Sequence, residues 1–293
     1  MIDGALLVDK PAGLTSNAVL QRAKKLLGAR KAGHGGTLDP LATGLLVVLF
    51  GEATKFAAPL LASDKAYVAT VRLGETTSTG DAEGEVLERK EVAVTEAQVE
   101  RALAGFRGEI EQTPPMHSAL KRDGVPLYKL ARRGETVERA KRRVTVFGLE
   151  LLRFDAGEAE IRVRCSKGTY VRTLAEDIGA ALGTGAHLSA LRRLGSGRFD
   201  VADAIGLPEL ERLQPAERQE RLLSLGELLS DLPRIELDAA QEARLRNGQA
   251  LTLQATPEGI SAVYGPGGKV VGVGRAESGT LRPLRLTQAP EKG

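Results

Sequence analysis

Two kinds of apolar pattern run along this chain, and each predicts a different setting. In KAYVATVRLG, Tyr67, Ala69, Val71 and Leu73 fall on one face, and Val68, Thr70 and Arg72 on the other. That period of two marks a strand with one face in the core. EAEIRVRCS repeats it, with Ile161, Val163 and Cys165 alternating with Arg162 and Arg164, and it reads as the antiparallel partner of TVFGLELLRFD. ALLV (Ala5 to Val8) and LLVVLF (Leu45 to Phe50) are instead unbroken apolar runs, expected of buried strands. Helical spacing appears between them. Val19, Ala23, Leu26 and Leu27 follow Ser16 as the expected N-cap and precede Gly28 as a stop; Thr95 is expected to cap TEAQVERALAGFRGEI, which ends near Gly105. Thr173 and Glu176 have capping-box spacing at the head of a third helix, after the turn KGTYVR. The mixture is α+β.

The remaining segments divide the chain. TTSTGDAEGEV reads as a polar loop. QTPPMHSALKRDGVPLYKLARRGETVERAKRR, with adjacent prolines and a helix-like LYKLARRG, reads as a mobile basic excursion between strands, about 114–143. A boundary is expected near LLSDLPRIELD, giving domains 1–231 and 232–293. Beyond it come a short helix from Ala239 to Asn247, stopped by Gly248, and a hairpin in SAVYGPGGKVVGVG with Gly-Gly at its turn, so the second domain should be small and β-rich.

Charge changes the picture more than composition does. The 293 residues carry a net charge of only +3. Yet Met116 to Val146 holds nine Lys/Arg against three Asp/Glu, and Arg162 to Arg198 seven against two. Two basic clusters in a chain of sequence pI about 9.0 point to a polyanionic partner, with a merely solvated surface as the alternative. A single cysteine, Cys165, allows no intrachain disulfide and fits a reducing compartment, so a cytoplasmic location is expected. The N-terminal MIDGALLVDKPAG does not read as a signal peptide, and no apolar run approaches the ~20 residues of a membrane span.

Most familiar chemistries lack their residues. His34, His117 and His187 are scattered, and one cysteine cannot build a zinc cluster. There is no Walker A loop, no Gly-x-Gly-x-x-Gly and no Gly-x-Ser-x-Gly. What stands out is GHGGTLDPLATGLLVV. Gly35 and Gly36 permit close backbone approach or positive φ, and Pro40 biases Asp39 toward an extended conformation. The carboxylate is either a turn cap before a strand or a rigidly held reactive group, and the loop by itself leaves both open.

DKPAGLTS, GHGGTLDPLATGLLVV, KAYVATVRLGETTSTGDAEG, QTPPMHSALKRDGVPLYKLARRG and CSKGTYVRTLAEDIG with GAHLSALRRLGSGRF follow one another in the order seen in one family. From about Met1 to Phe199 the chain resembles the TruB family, the bacterial tRNA pseudouridine synthases that act on the T-loop uridine; the remainder more weakly resembles a PUA domain. The resemblance implies a mixed, largely antiparallel sheet with flanking helices and a central RNA-binding cleft. It implies Asp39 as the essential catalytic residue, with Tyr67 stacking on the base and Arg172 pairing with the aspartate. It further implies Tyr170 as a second site tyrosine, Leu191 as an apolar wall of the uracil pocket, His34 as support for the reshaped RNA loop, and Lys10 as a holder of the site or of the RNA backbone. Lys121 and Arg132 in the excursion, and the Arg192-Arg193 pair, become candidate phosphate contacts. No cofactor or metal is implied, the partner is the tRNA T-arm, and a monomer is expected. Two other classes stay open: an RNA-binding or RNA-folding protein without catalysis, and a pseudouridine synthase acting on another RNA.

Overall fold

The computed structural model describes residues 2–118, 120–131 and 133–288. Arg132 therefore lies outside the described residues.

The main sheet is built from β1 (Gly4–Lys10), β2 (Ala32–His34), β3 (Thr43–Phe50), β4 (Lys65–Leu73), β5 (Gly108–Gln112), β6 (Arg142–Asp155), β7 (Glu158–Cys165) and β8 (Ala186–Ser196). Ile205–Gly206 forms one edge, followed by β1, β3, β8, β4, β7, β6 and β5; β2 pairs with β3, and Phe199–Asp200 with β8. Most neighbours are antiparallel. β1 with Ile205–Gly206 and β3 with β8 are parallel.

The two apolar patterns now have a physical reason. α1 (Ser16–Leu26) packs Val19, Leu20 and Ala23 on Leu6, Val8, Leu46 and Val48, on the front of β1 and β3. The back of the same strands, through Ala5, Leu7, Leu45, Val47 and Leu49, meets Phe56, Leu60 and the C-terminal sheet residues Ala262, Tyr264 and Val273. These strands are covered twice, hence continuously apolar. In β4 and β7 only the front is covered, by α2 (Glu96–Ala104) and α3 (Val171–Ala181), which bring Val99, Leu103, Leu174 and Ile178 onto Ala69, Val71, Ile161 and Val163. Arg72, Arg162 and Arg164 face solvent behind them.

The C-terminal sheet orders Arg234–Glu236, Gly259–Tyr264, Val270–Glu277, Thr280–Leu286 and Leu251–Thr252. The expected hairpin is present, with Gly267 and Gly268 both at positive φ in its turn. No helix of the described residues is long and apolar enough to cross a membrane.

β8 is the seam between the halves. It pairs along β4 from Ala186 to Ser196, but touches β3 only at Arg192↔Thr43 and Arg193↔Gly44. Beyond that point β3 takes β2 as its neighbour. The loop bearing Asp39 runs between β2 and β3, beside the split.

Three local expectations are corrected. Thr15, not Ser16, caps α1, accepting from the Ala18 N–H at 3.1 Å; Ser16 is buried and exchanges hydrogen bonds with Leu38. Both are cap-forming residue types, and the seat went to the one that leaves its neighbour to pin the loop. Thr173 and Glu176 form no capping box, because α3 starts at Val171 with Tyr170 as its N-cap, which places Thr173 inside the first turn. The polar segment after β4 is not all loop, since Glu75–Thr77 and Val86–Arg89 pair as a small hairpin.

Candidate active site

A single row of paired positions, Lys10, Gly44, Arg193 and Tyr67, crosses four strands under the Asp39 loop. Directly paired residues project to one side of a sheet, so the two cations and the tyrosine all point to the front. The loop rests on them. Arg193, 2% exposed, donates from Nε to the Leu45 carbonyl at 2.6 Å, from Nη1 to Thr37 at 3.4 Å and from Nη2 to Gly36 at 3.2 Å. Lys10, fully buried, donates to the carbonyls of Pro11, Leu14 and Pro40 at 2.9, 2.6 and 3.1 Å. Gly36 has φ +137°, while Gly35 lies so close to Leu60 that a Cβ would come within 2.8 Å of its side chain. Each of the two uses anticipated for these glycines occurs once. Lys65 completes the floor, donating to the carbonyls of Leu60 and Ser63 at 3.0 and 2.6 Å.

So fixed, Asp39 meets Arg172 from the first turn of α3. Arg172 Nη2 lies 3.1 Å from the Asp39 carboxylate and Nε 3.6 Å from that of Asp81. The remaining guanidinium donors reach carbonyls, Nη2 to His117 at 2.7 Å and Nη1 to Thr79 at 3.1 Å. The Asp39 side chain keeps 39% exposure toward the cleft, against 6% for Arg172. Burial pushes the Asp39 carboxyl above its ordinary 3.8, outweighing the pull of Arg172, and Asp81 adds to the rise. Burial likewise lowers Lys10 and Lys65 to about 8, and His34 below its usual 6.5 with Arg193 assisting. The Tyr67 phenol is driven upward by burial, so it stays protonated.

Asp39, Tyr67, Asp81 and Arg172 line a cleft of about 870 Å³ that also takes in Tyr170, Leu191, His34 and Lys65. Two tyrosines and a leucine supply flat apolar walls, the half-exposed Asp39 carboxylate faces the space with the exposed Glu83 at its border, and the basic groups stand behind it. Such a site can hold a planar base and stabilise charge on a sugar carbon; among the described residues no group of three or more His, Cys, Asp or Glu is arranged to hold a metal. A family model described as TruB family pseudouridylate synthase (N terminal domain) matches residues 24–171. The chain belongs to the TruB family of pseudouridylate synthases. It is accordingly an isomerase of uridine. Models for the tRNA pseudouridylate synthase B C-terminal domain and for the C-terminal part of pseudouridine synthase II TruB match 172–234 and 233–287. Among relatives, a tRNA pseudouridine synthase B of Azoarcus sp. (strain BH72) is 52% identical over 98% of this chain and 95% of its own. Another, from Burkholderia mallei (strain NCTC 10247), is 54% identical over 97% of each. A solved structure described as a Cbf5–Nop10–Gar1 complex is 26% identical, with TM-score 0.74 over 99% of this chain and 84% of that one.

Within this TruB-family site the expected residues separate into two groups. Asp39, Tyr67, Tyr170, Arg172, Leu191 and His34 share the cleft. Arg193, expected at an RNA phosphate, turns inward, and Lys10, expected to hold the site or the RNA backbone, does the same; their donors go to backbone carbonyls of the loop and its flanks, so they hold the loop rather than a phosphate. Arg192 makes a two-pronged ion pair with Asp9 at 3.0 and 2.7 Å, which engages its guanidinium before any RNA arrives. Lys121 is exposed on a two-stranded turn, Lys121–Arg122 against Val125–Pro126, followed by the short helix Leu127–Ala131 that LYKLARRG suggested. The excursion thus has local structure of its own.

Residue-level reasoning missed Asp81, Lys65 and Gln112. Asp81 is 3% exposed and accepts from Thr79 Oγ1 at 2.5 Å and from the Glu83 N–H at 3.1 Å. Its only local signal is the spacing of an Asx-type turn, which is common in loops that do nothing else.

Proposed function

We propose that this synthase isomerises the T-loop uridine of tRNA to pseudouridine, with Asp39 as its essential catalytic residue. The observation that carries the reading is a half-exposed carboxylate, ion-paired to a buried arginine at 3.1 Å, in a cleft walled by Tyr67, Tyr170 and Leu191.

The target nucleotide must leave the stack, because C1′ and C5 of a stacked uridine cannot be reached together. Tyr67 then stacks on the base. The Asp39 carboxylate faces C1′ and drives cleavage of the N1–C1′ bond, the electron pair leaving with the uracil. The freed base turns within the apolar walls, C5 bonds to C1′, the C5 proton is lost and N1 gains one. Atoms and charge balance with no second substrate, which is why the site must keep the base in and water out. Arg172 opposes the effect of burial by favouring the ionised Asp39, and it aims the carboxylate. His34 supports the RNA loop vacated by the flipped base, and the basic excursion with Lys121 closes over the phosphates. Residues 232–293 form a PUA-like RNA-binding domain beside a catalytic domain of 1–231. The enzyme works in the cytoplasm as a monomer on the T-arm.

The test is Asp39→Asn on a T-arm stem-loop. The variant should bind the RNA within a few-fold of wild type and form no pseudouridine. Modification at a near wild-type rate overturns the catalytic role of Asp39. Mapping pseudouridines in RNA from a deletion strain checks the target, and loss at any site other than the tRNA T-loop sinks that part of the reading.

A further inference from the structure

Tyr170 reaches the cleft from an unusual seat. It is the N-cap of α3, yet its side chain makes no capping bond, and a helix start leaves backbone N–H groups without partners. The missing partner comes from far away in sequence. Gln112, the last residue of β5, places its side-chain oxygen 3.0 Å from the Tyr170 N–H and donates its amide N–H to the Tyr170 carbonyl at 3.2 Å. Both ends of one amide therefore grip both polar groups of one residue. Gln112 is 1% exposed, and its own backbone is fixed in the sheet opposite Arg142. The chain leaving Gln112 runs straight to His117, whose carbonyl takes Arg172 Nη2 at 2.7 Å. Segment 112–117 thus holds both polar residues that α3 sends into the cleft, one by its backbone and one by its guanidinium.

We infer that Gln112 is a positioning residue for the isomerisation: it fixes the Tyr170 backbone so that the phenol ring stands at the correct depth over the uracil. The inference rests on the proposed role of Tyr170 at the base. Among the described residues the Tyr170 N–H bonds only Gln112, and the carbonyl otherwise bonds only the Leu174 N–H at 3.0 Å. An apolar residue at 112 frees the Tyr170 peptide to tilt, and an ångström of misplacement at a reacting centre costs on the order of 100-fold in rate.

The experiment is a double-mutant cycle on single-turnover pseudouridine formation in a T-arm stem-loop, with RNA affinity measured alongside. Gln112→Leu should slow the reaction about 10- to 100-fold while the RNA dissociation constant moves less than about threefold. In a Tyr170→Ala background the same change should cost less than about threefold more, since the ring it positions is gone. Equal slowing in both backgrounds, or a Gln112→Leu enzyme of wild-type rate, overturns the inference. If Tyr170→Ala itself reacts at the wild-type rate, the reading of Tyr170 fails instead, so the two failures are distinguishable. Gln112→Glu keeps size and shape and covers the case in which the leucine variant does not fold. Its carboxyl, raised by burial, regains a donor when protonated. Its rate relative to wild type should therefore rise as pH falls, whereas a ratio independent of pH also overturns the inference.

Discussion

At Asp39 two influences oppose each other: burial disfavours the carboxylate, and Arg172 favours it. Burial wins, so the folded protein binds this proton more tightly than the unfolded chain does. The sign then follows: stability attached to Asp39 is lost as pH rises through the interval above 3.8. Asp39→Asn should be at least as stable as wild type at pH 7, with that advantage gone at about pH 3, as thermal midpoints would reveal. Its rate should fall more than about 1,000-fold. In wild type the acid limb of the pH–rate profile should sit above the ordinary carboxylate range, and a limb at or below 3.8 would contradict the burial argument. Lys65 runs the other way. Its folded value is about 8 against 10.5 for the free side chain, so the unfolded chain binds the proton more tightly. Relative to Lys65→Met, wild type should gain stability from pH 8 to 10.5, by about 2–3 kcal/mol in chemical denaturation.

At the scale of elements, the excursion and α3 have separable duties. Lys121 stands exposed on its turn, and Arg122 from the same turn donates to the Glu138 carbonyl at 3.0 Å. Lys121→Ala should weaken RNA binding modestly, leave the bound-state rate unchanged, and reduce the slope of log affinity against log salt by about one. An unaltered slope would remove Lys121 from the phosphate contacts. The sequence made these elements legible wherever a single period decided them. The alternation of β4 and β7, the cap at Thr95 and the Gly-Gly hairpin needed only neighbours in the chain. The site was legible only through the order of motifs, since Asp39, Tyr67 and Arg172 have no spacing in common. Asp81 and Gln112 escaped because their partners are tertiary: a loop carboxylate and a strand-end amide look alike with or without an arginine or a helix start across the fold. Arg193 was misread for a related reason. A basic residue near a motif suggests RNA, and only the strand register reveals that its head turns into the protein.

For the whole molecule, the C-terminal sheet is a wall of the main sheet as well as a neighbour. Tyr264, 6% exposed and stacked under Arg234 at 3.9 Å, belongs to the same apolar cluster as Phe56 and Leu60. Leu60 in turn abuts Gly35 of the Asp39 loop. Tyr264→Ala should cost about 3 kcal/mol in denaturant unfolding and should also slow single-turnover catalysis, although residue 264 does not line the cleft. Stability lost with an unchanged rate would show that Lys10, Ser16 and Arg193 hold the loop without help from Leu60.

The seam at β8 has a consequence in time. Asp39, Tyr67 and Arg172 are all synthesised before β8, yet among the described residues the strands of the two halves pair only where Arg192 and Arg193 meet Thr43 and Gly44. A nascent chain stopped at Gly185 possesses the aspartate, the tyrosine and the arginine, with no strand to carry one half to the other. Late closure of distant pairings is also the slow step of such topologies. Competence therefore comes late in synthesis and in one stroke, and an unfinished chain carries Asp39 without a finished cleft around it.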